Sequence, residues 1–149
     1  FLLTFGLAEV AMIGFAQTSL DNAVSQTARQ IRTGQAQMGG MSAGDIEDQL
    51  CANFNRFLGG SCENNLFIDV NTYPSYLAAA DQTSSPIQNN EFEDDGFVYQ
   101  PGSASDIVVV RAYFRWQIMT PMFESVFHNV SGGERILIST MMFRNEPFQ

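Results

Sequence analysis

Residues 1–16, FLLTFGLAEVAMIGFA, are apolar on every side of a helix except at Thr4 and at one ionisable residue, Glu9. A helix of that kind has to be buried, in lipid or in protein. Sixteen residues span about 24 Å as a helix, slightly less than the roughly 20 residues that cross a bilayer. The segment opens with no N-cap and no flanking positive charge. That predicts a chain beginning inside a longer hydrophobic helix, through missing upstream residues or a cleaved leader. A secretory signal fits less well, because its basic region and small-residue cleavage site are absent.

Beyond Gln17 the composition turns polar while helical spacing persists: Leu20, Val24, Ala28, Ile31 and Met38 recur on one face, with Asp21, Gln26, Arg29, Arg32 and Gln37 elsewhere. Gly39 and Gly40 supply the stop. The chain therefore divides into a hydrophobic-then-amphipathic helix over residues 1–38 and a head over residues 39–149. The length suits one globular domain, and 13 Phe within 45% hydrophobic content can build its core.

Charge narrows the partners. Seven Arg and no Lys against 16 acids give a net charge of −9, which offers no footprint for nucleic acid. Anionic lipid headgroups would repel such a head, so attachment to a membrane must run through the apolar segment. Cys51 and Cys62 are separated by ten residues that include Gly59 and Gly60. The short, turn-rich loop between them predicts a disulfide bridge, with two free buried thiols as the alternative in a reducing compartment. With one His in the chain, a zinc site lacks ligands.

In the head, Ser42 with Asp45 forms a weak capping box opening a helix with Ile46, Leu50, Phe54 and Phe57 on one face, ending at Gly59 and Gly60. Residues 66–73 read as a strand ended by Pro74. Residues 106–118 read as the clearest strand. Val108, Val110, Ala112, Phe114, Trp116 and Ile118 share its core face, and Arg111, Arg115 and Gln117 the other. Residues 135–144 give a third, with Ile136, Ile138, Thr140 and Met142 aligned, and 97–99 a short fourth. Thr120 and Pro121 open a short helix through Phe127, and residues 78–96 read as a surface excursion.

Glu9 is the leading candidate site, because a carboxyl group in an apolar helix is costly in lipid and implies a partner. The plainer reading is a carboxyl tolerated without one. Gly6 and Gly14, with Ala8, Ala11 and Ala16, allow close approach of a neighbouring helix. Glu91, Glu93, Asp94 and Asp95 offer oxygen ligands to calcium or another ligand, but not at EF-hand spacing, and a solvated loop is the ordinary reading of such a run. Arg111 and Arg115 read as surface ion-pairing residues of little energetic weight. Neither His128 nor Ser61 sits in a triad or nucleophile elbow, and phosphate-binding glycine loops are absent, so no catalytic, cofactor or metal site is predicted. In the terminal FRNEPF, Phe143 to Phe148, Pro147 ends the last strand, and Arg144 with Glu146 would lock the tail to the body or dock a partner.

Three strings carry a family resemblance: residues 1–37 (FLLTFGLAEVAMIGFAQTSLDNAVSQTARQIRTGQAQ), 50–73 (LCANFNRFLGGSCENNLFIDVNTY) and 134–148 (ERILISTMMFRNEPF). Together they resemble the TadE-like minor pilins, or pseudopilins, of tight-adherence (Tad/Flp) pilus systems. The residue patterns above predict an α+β fold in which a long N-terminal helix, its apolar half in the membrane or a filament core, packs on a small antiparallel sheet with one disulfide, and the resemblance marks that fold as pilin-like. It further implies anchoring in the inner membrane with a periplasmic head, precursor processing by a prepilin peptidase, association with other pilin-like subunits, a role in building a cell-surface type IV-like pilus, and no catalysis. The family pattern puts a glutamate near the fifth mature position, where this chain has Phe5 and its helix acid is Glu9, so no cleavage site is carried over. The competing function is a membrane-anchored adhesin or receptor head that binds a ligand through residues 78–96.

Overall fold

The stripe of Leu20, Val24, Ala28 and Ile31 expected on the N-terminal helix is fully buried against a β-sheet. The architecture follows from that packing in a computed structural model, which describes residues 1–58, 65–81, 87–88, 91–92, 97–119, 121–127 and 134–147. The helix α1 runs Leu2–Arg32 and restarts, after a break, as α2 (Gln35–Met38). The unbroken helix expected through residue 38 is interrupted because Gly34 takes a left-handed φ of 80°, a conformation that ends helices and that glycine adopts without steric cost. The Gly34 N–H donates to the Ile31 carbonyl at 3.1 Å. Met38, placed on the stripe by its spacing, is exposed, because the break rotates α2 out of phase with α1.

The helix α3 (Ala43–Leu58) opens as the capping box predicted. The Ser42 N–H donates to Asp45 Oδ2 at 2.8 Å, and the Asp45 N–H donates to Ser42 Oγ at 3.3 Å. The Ser42 N–H bond, with the Ser42 hydroxyl donating to the same oxygen at 2.9 Å, favours the charged carboxylate and holds the Asp45 pKa below its ordinary value. Ile46, Leu50 and Phe54 face the core, while the side chain of Phe57 lies outside the described residues. Next come β1 (Leu66–Tyr73) and α4 (Tyr76–Asp81). The hairpin of β2 (Ile87–Gln88) and β3 (Glu91–Phe92) leads to β4 (Ile107–Gln117). A 3₁₀ turn (Pro121–Phe123) runs into α5 (Glu124–Phe127), and β5 (Glu134–Arg144) follows.

The main sheet is antiparallel in the order β1-β4-β5. Residues 97–99 add one parallel bridge, Val70 with Tyr99, at the free edge of β1 rather than a full strand. The register sets Leu66, Phe114 and Leu137 abreast, as it does Val70, Val110 and Met141. The inward face of β5 is therefore Leu137, Ser139, Met141 and Phe143. The even-numbered set expected to align there turns the other way, with Ile138 and Met142 each 39% exposed. The sequence of β5 is apolar on both faces, so alternation alone could not choose between them; α1 and α3 make the choice by covering one.

The second face of the sheet is also covered, contrary to the expectation of a polar outer side. Tyr113 and Ile136 are buried under Phe67, Ile87, Phe92 and Phe97. Phe97 stacks on Tyr113 with centroids 5.0 Å apart, and the Arg115 guanidinium lies 5.3 Å from the ring centres of Phe67 and Phe92. The described part of the supposed surface excursion thus supplies the lid of a second aromatic layer. Beneath it Arg111 Nη2 meets Asp69 Oδ2 at 3.2 Å, both side chains under one-tenth exposed. Asp69 Oδ1 also accepts from Asn71 Nδ2 at 2.8 Å and from the Val98 N–H at 3.1 Å. Arg111 is therefore a buried, cross-strand partner and not a surface charge.

Removing one member of this pair strands a buried charge. Asp69→Ala is expected to lower stability by about 3–5 kcal/mol, and the double variant Asp69→Leu/Arg111→Met to recover most of that. Denaturant unfolding of detergent-solubilised protein checks both; equal losses in single and double variants would refute the coupling.

Candidate functional site

The apolar half of α1 has a seat on its own head, built from the end of β4 and the turn after it. Trp116 closes the inward row of β4, and its indole Nε1–H donates to Glu9 Oε1 at 3.2 Å. The backbone N–H of Met119, just past the strand end, donates to the same oxygen, also at 3.2 Å. Glu9 is 2% exposed. A buried carboxyl group is tolerable when donors replace its water, and here they come from within the chain. The partner sought for Glu9 in a neighbouring subunit or the membrane is thus supplied, for this oxygen, by β4 and its following residue.

One turn earlier, Gly6 is buried against Phe123. A Cβ at residue 6 would stand 2.9 Å from Phe123 Cζ, closer than side-chain contacts allow. The small residue read as a helix–helix contact is what lets the 3₁₀ turn approach α1. Gly14 differs: a Cβ there would meet nothing within 4 Å, so its space is open to whatever lies beside the helix. One turn further along, Gln17 Nε2 donates to the Ile138 carbonyl at 2.9 Å, tying α1 to the outer edge of β5. From Gly6 to Gln17 the helix is held along one stripe, while Leu3, Leu7 and Val10 are at least half exposed. Among the described residues α1 is the one helix long and apolar enough to cross a membrane.

At the other end of α1 lies a cleft of about 300 Å³, lined by residues that include Ser25, Arg29, Arg32, Met141 and Phe143. The tail closes over this end. The Asn145 side chain, 2% exposed, donates from Nδ2 to the carbonyls of Pro101 and Ser103 at 3.0 and 2.9 Å. Its backbone N–H donates to the Asp106 carbonyl at 2.7 Å, and the Glu146 N–H donates to the Arg32 carbonyl at 2.8 Å. Arg144 is exposed, and Glu146 meets Arg32 at 3.7 Å with both side chains half exposed. Within the FRNEPF string the fastening is therefore shared by Asn145 and Glu146, while Arg144 and Pro147 are exposed and Phe143 is in the core; Phe148 lies outside the described residues.

The remaining candidates do not converge on one place. Cys51 is 5% exposed on α3, and Cys62 lies outside the described residues, as do Ser61 and His128. Glu91 is exposed on β3, while Glu93, Asp94 and Asp95 are also outside them. Sequence reasoning missed the partnership of Glu9 with Trp116, although a signal existed. A Trp at the end of a buried strand face needs an acceptor for its indole N–H, and Glu9 is the one acid of the apolar segment.

Glu9→Gln keeps an acceptor oxygen and is expected to stay within about 1 kcal/mol of the parent, whereas Glu9→Ala, which leaves two donors without theirs, is expected to cost about 2 kcal/mol or more. Thermal unfolding in detergent, followed through Trp116 emission, distinguishes them. Identical transitions for Glu9→Ala and the parent would show that the seat adds nothing.

Compared with protein families, with curated proteins and with solved structures, this chain matches none, so the TadE-like reading rests on its own residue strings and on a fold in which a long apolar helix packs on a small antiparallel sheet.

Proposed function

We propose that this chain is a non-enzymatic minor pilin, or pseudopilin, of the TadE-like kind, acting in the assembly or initiation of a tight-adherence, type IV-like pilus. One observation carries the reading: a single helix, α1, is apolar and, outside the stripe through Gly6 and Glu9, exposed over its first half, and forms the core of the head over its second. That division fits a subunit held in the inner membrane by its lipid before assembly, with a periplasmic head, and later packed helix against helix with other pilin-like subunits at the cell surface. The alternative of a ligand-binding head gains no support from the described part of residues 78–96, since Ile87 and Phe92 there pack on the sheet.

Gly14 gives the sharpest test, because it is exposed and a Cβ at that position would meet nothing within 4 Å. Gly14→Phe is expected to leave insertion and unfolding temperature unchanged while reducing crosslinking to other pilin-like subunits, and pilus number, by about tenfold, the loss of a close helix contact worth roughly 1.4 kcal/mol. Wild-type crosslinking and piliation in that variant would remove the helix from the assembly interface.

The same reading puts the head in an oxidising compartment, where Cys51, buried on α3, is proposed to pair with Cys62. Closing a loop of this size contributes about 3 kcal/mol in the chain-entropy account. Alkylation of exported protein without reductant, followed by intact-mass measurement, is expected to label neither thiol; two labels would exclude the bridge.

A further inference from the structure

The change from apolar to polar composition at Gln17 suggests that lipid reaches that level of α1. The seat of the helix forbids this while the head is docked. Glu9 is bonded to Trp116 and Met119, and Gly6 touches Phe123, so the end of β4 and the following turn lie at the same height as residues 6–9. Whatever surrounds that part of α1 also surrounds them.

Two observations fix how deep that can be. In the β-sheet Trp116 stands opposite Arg135, and Gln117 opposite Glu134, so a charged pair of residues flanks the seat, and charged groups are excluded from the hydrocarbon interior. On the other side of the seat the exposed large apolar side chains are Leu3 and Leu7 on α1, and Met119, Met122 and Val126 on the turn, each more than half exposed; the side chain of Glu124, in the same turn, lies outside the described residues. These three residues form an apolar tip beside the helix, away from Arg29 and Arg32.

We infer that the water–lipid boundary crosses the docked protein at the level of Glu9, Trp116 and Met119, about 12 Å along the helix axis short of Gln17, and that Met122 and Val126 enter the outermost hydrocarbon. The occupant of this surface is the lipid bilayer. Trp116 then lies where Trp side chains collect, in the interfacial layer, and Val10 to Phe15 pass through the headgroup zone. The inference rests on the reading of α1 as a membrane anchor and adds to it the position and immersion of the head.

Trp116 is the one Trp of the chain, so its own emission is the probe. The full chain is reconstituted into phosphatidylcholine vesicles whose acyl chains carry bromine either near the headgroup or near the chain terminus. Headgroup-proximal bromine is expected to quench Trp116 about twofold more than terminal bromine, as for an interfacial side chain. Met122→Asp/Val126→Asp is expected to lift the tip and abolish most of this quenching while the chain still sediments with vesicles after carbonate washing. Three results overturn the inference with the anchor intact. Stronger quenching by terminal bromine places lipid as high as Gln17. Absent quenching in sedimenting protein shows that the head stands clear or that protein, not lipid, covers the tip. Unchanged quenching in the double variant removes Met122 and Val126 from the contact. Failure of the parent chain to sediment with vesicles would instead sink the membrane-anchor reading itself.

Discussion

Everything in this fold depends on the burial of one helical stripe, Leu20, Val24, Ala28 and Ile31, against a sheet of three strands. A sheet that small cannot close its own core, and its central strand β4 is buried on both sides along most of its length. The helix covers one face together with α3; the aromatic layer around Phe92, Phe97 and Tyr113 covers the other. Each cover removes apolar area from water at about 25 cal/mol per Å², and neither element has another place to put its apolar side. The lower half of α1 is thus committed to the head, which makes the position of its upper half a mechanical consequence rather than an independent choice.

That consequence is specific at Glu9. If α1 merely projected from the head, the carboxyl group would need a partner elsewhere. Because the stripe fixes the helix axis over the sheet, the side chain at residue 9 arrives beside Trp116 and the Met119 N–H, and the bare backbone at residue 6 arrives beneath Phe123. A polar residue in an apolar segment and a glycine three positions before it are thereby explained by one docking geometry. Gly14, on the open side, is the small residue that this geometry leaves available to a neighbour.

Much of this was legible in the sequence because periodicity is strong where one face is buried. The helix from residue 2, the capping box of Ser42 and Asp45, and the three long strands follow from spacing and cap chemistry, with boundaries shifted by a residue or so. What spacing could not supply was the choice of face where both sides of a strand are apolar, as in β5. Nor could it show that Arg111 is buried, since a charged residue on a strand reads as solvated until its cross-strand neighbour Asp69 is known. The break at Gly34 was missed because glycine is tolerated inside a helix, and only the left-handed backbone reveals the stop. Asn145 carried no signal of its own: its acceptors, Pro101 and Ser103, lie in a loop whose path depends on the rest of the fold.

The strand β5 adds a constraint in time. It lies beside β4 and beneath α1, and more than 100 residues of chain separate Gln17 from Ile138. Contacts of such long range form late. A chain emerging from a ribosome can therefore cover part of the α1 stripe with α3 and β4, but it leaves the β5 contacts open until the last strand has followed, and cannot complete the Asn145 fastening before then. Closure of the helix-covered face of the sheet is in this way deferred until the last strand, β5, has been made.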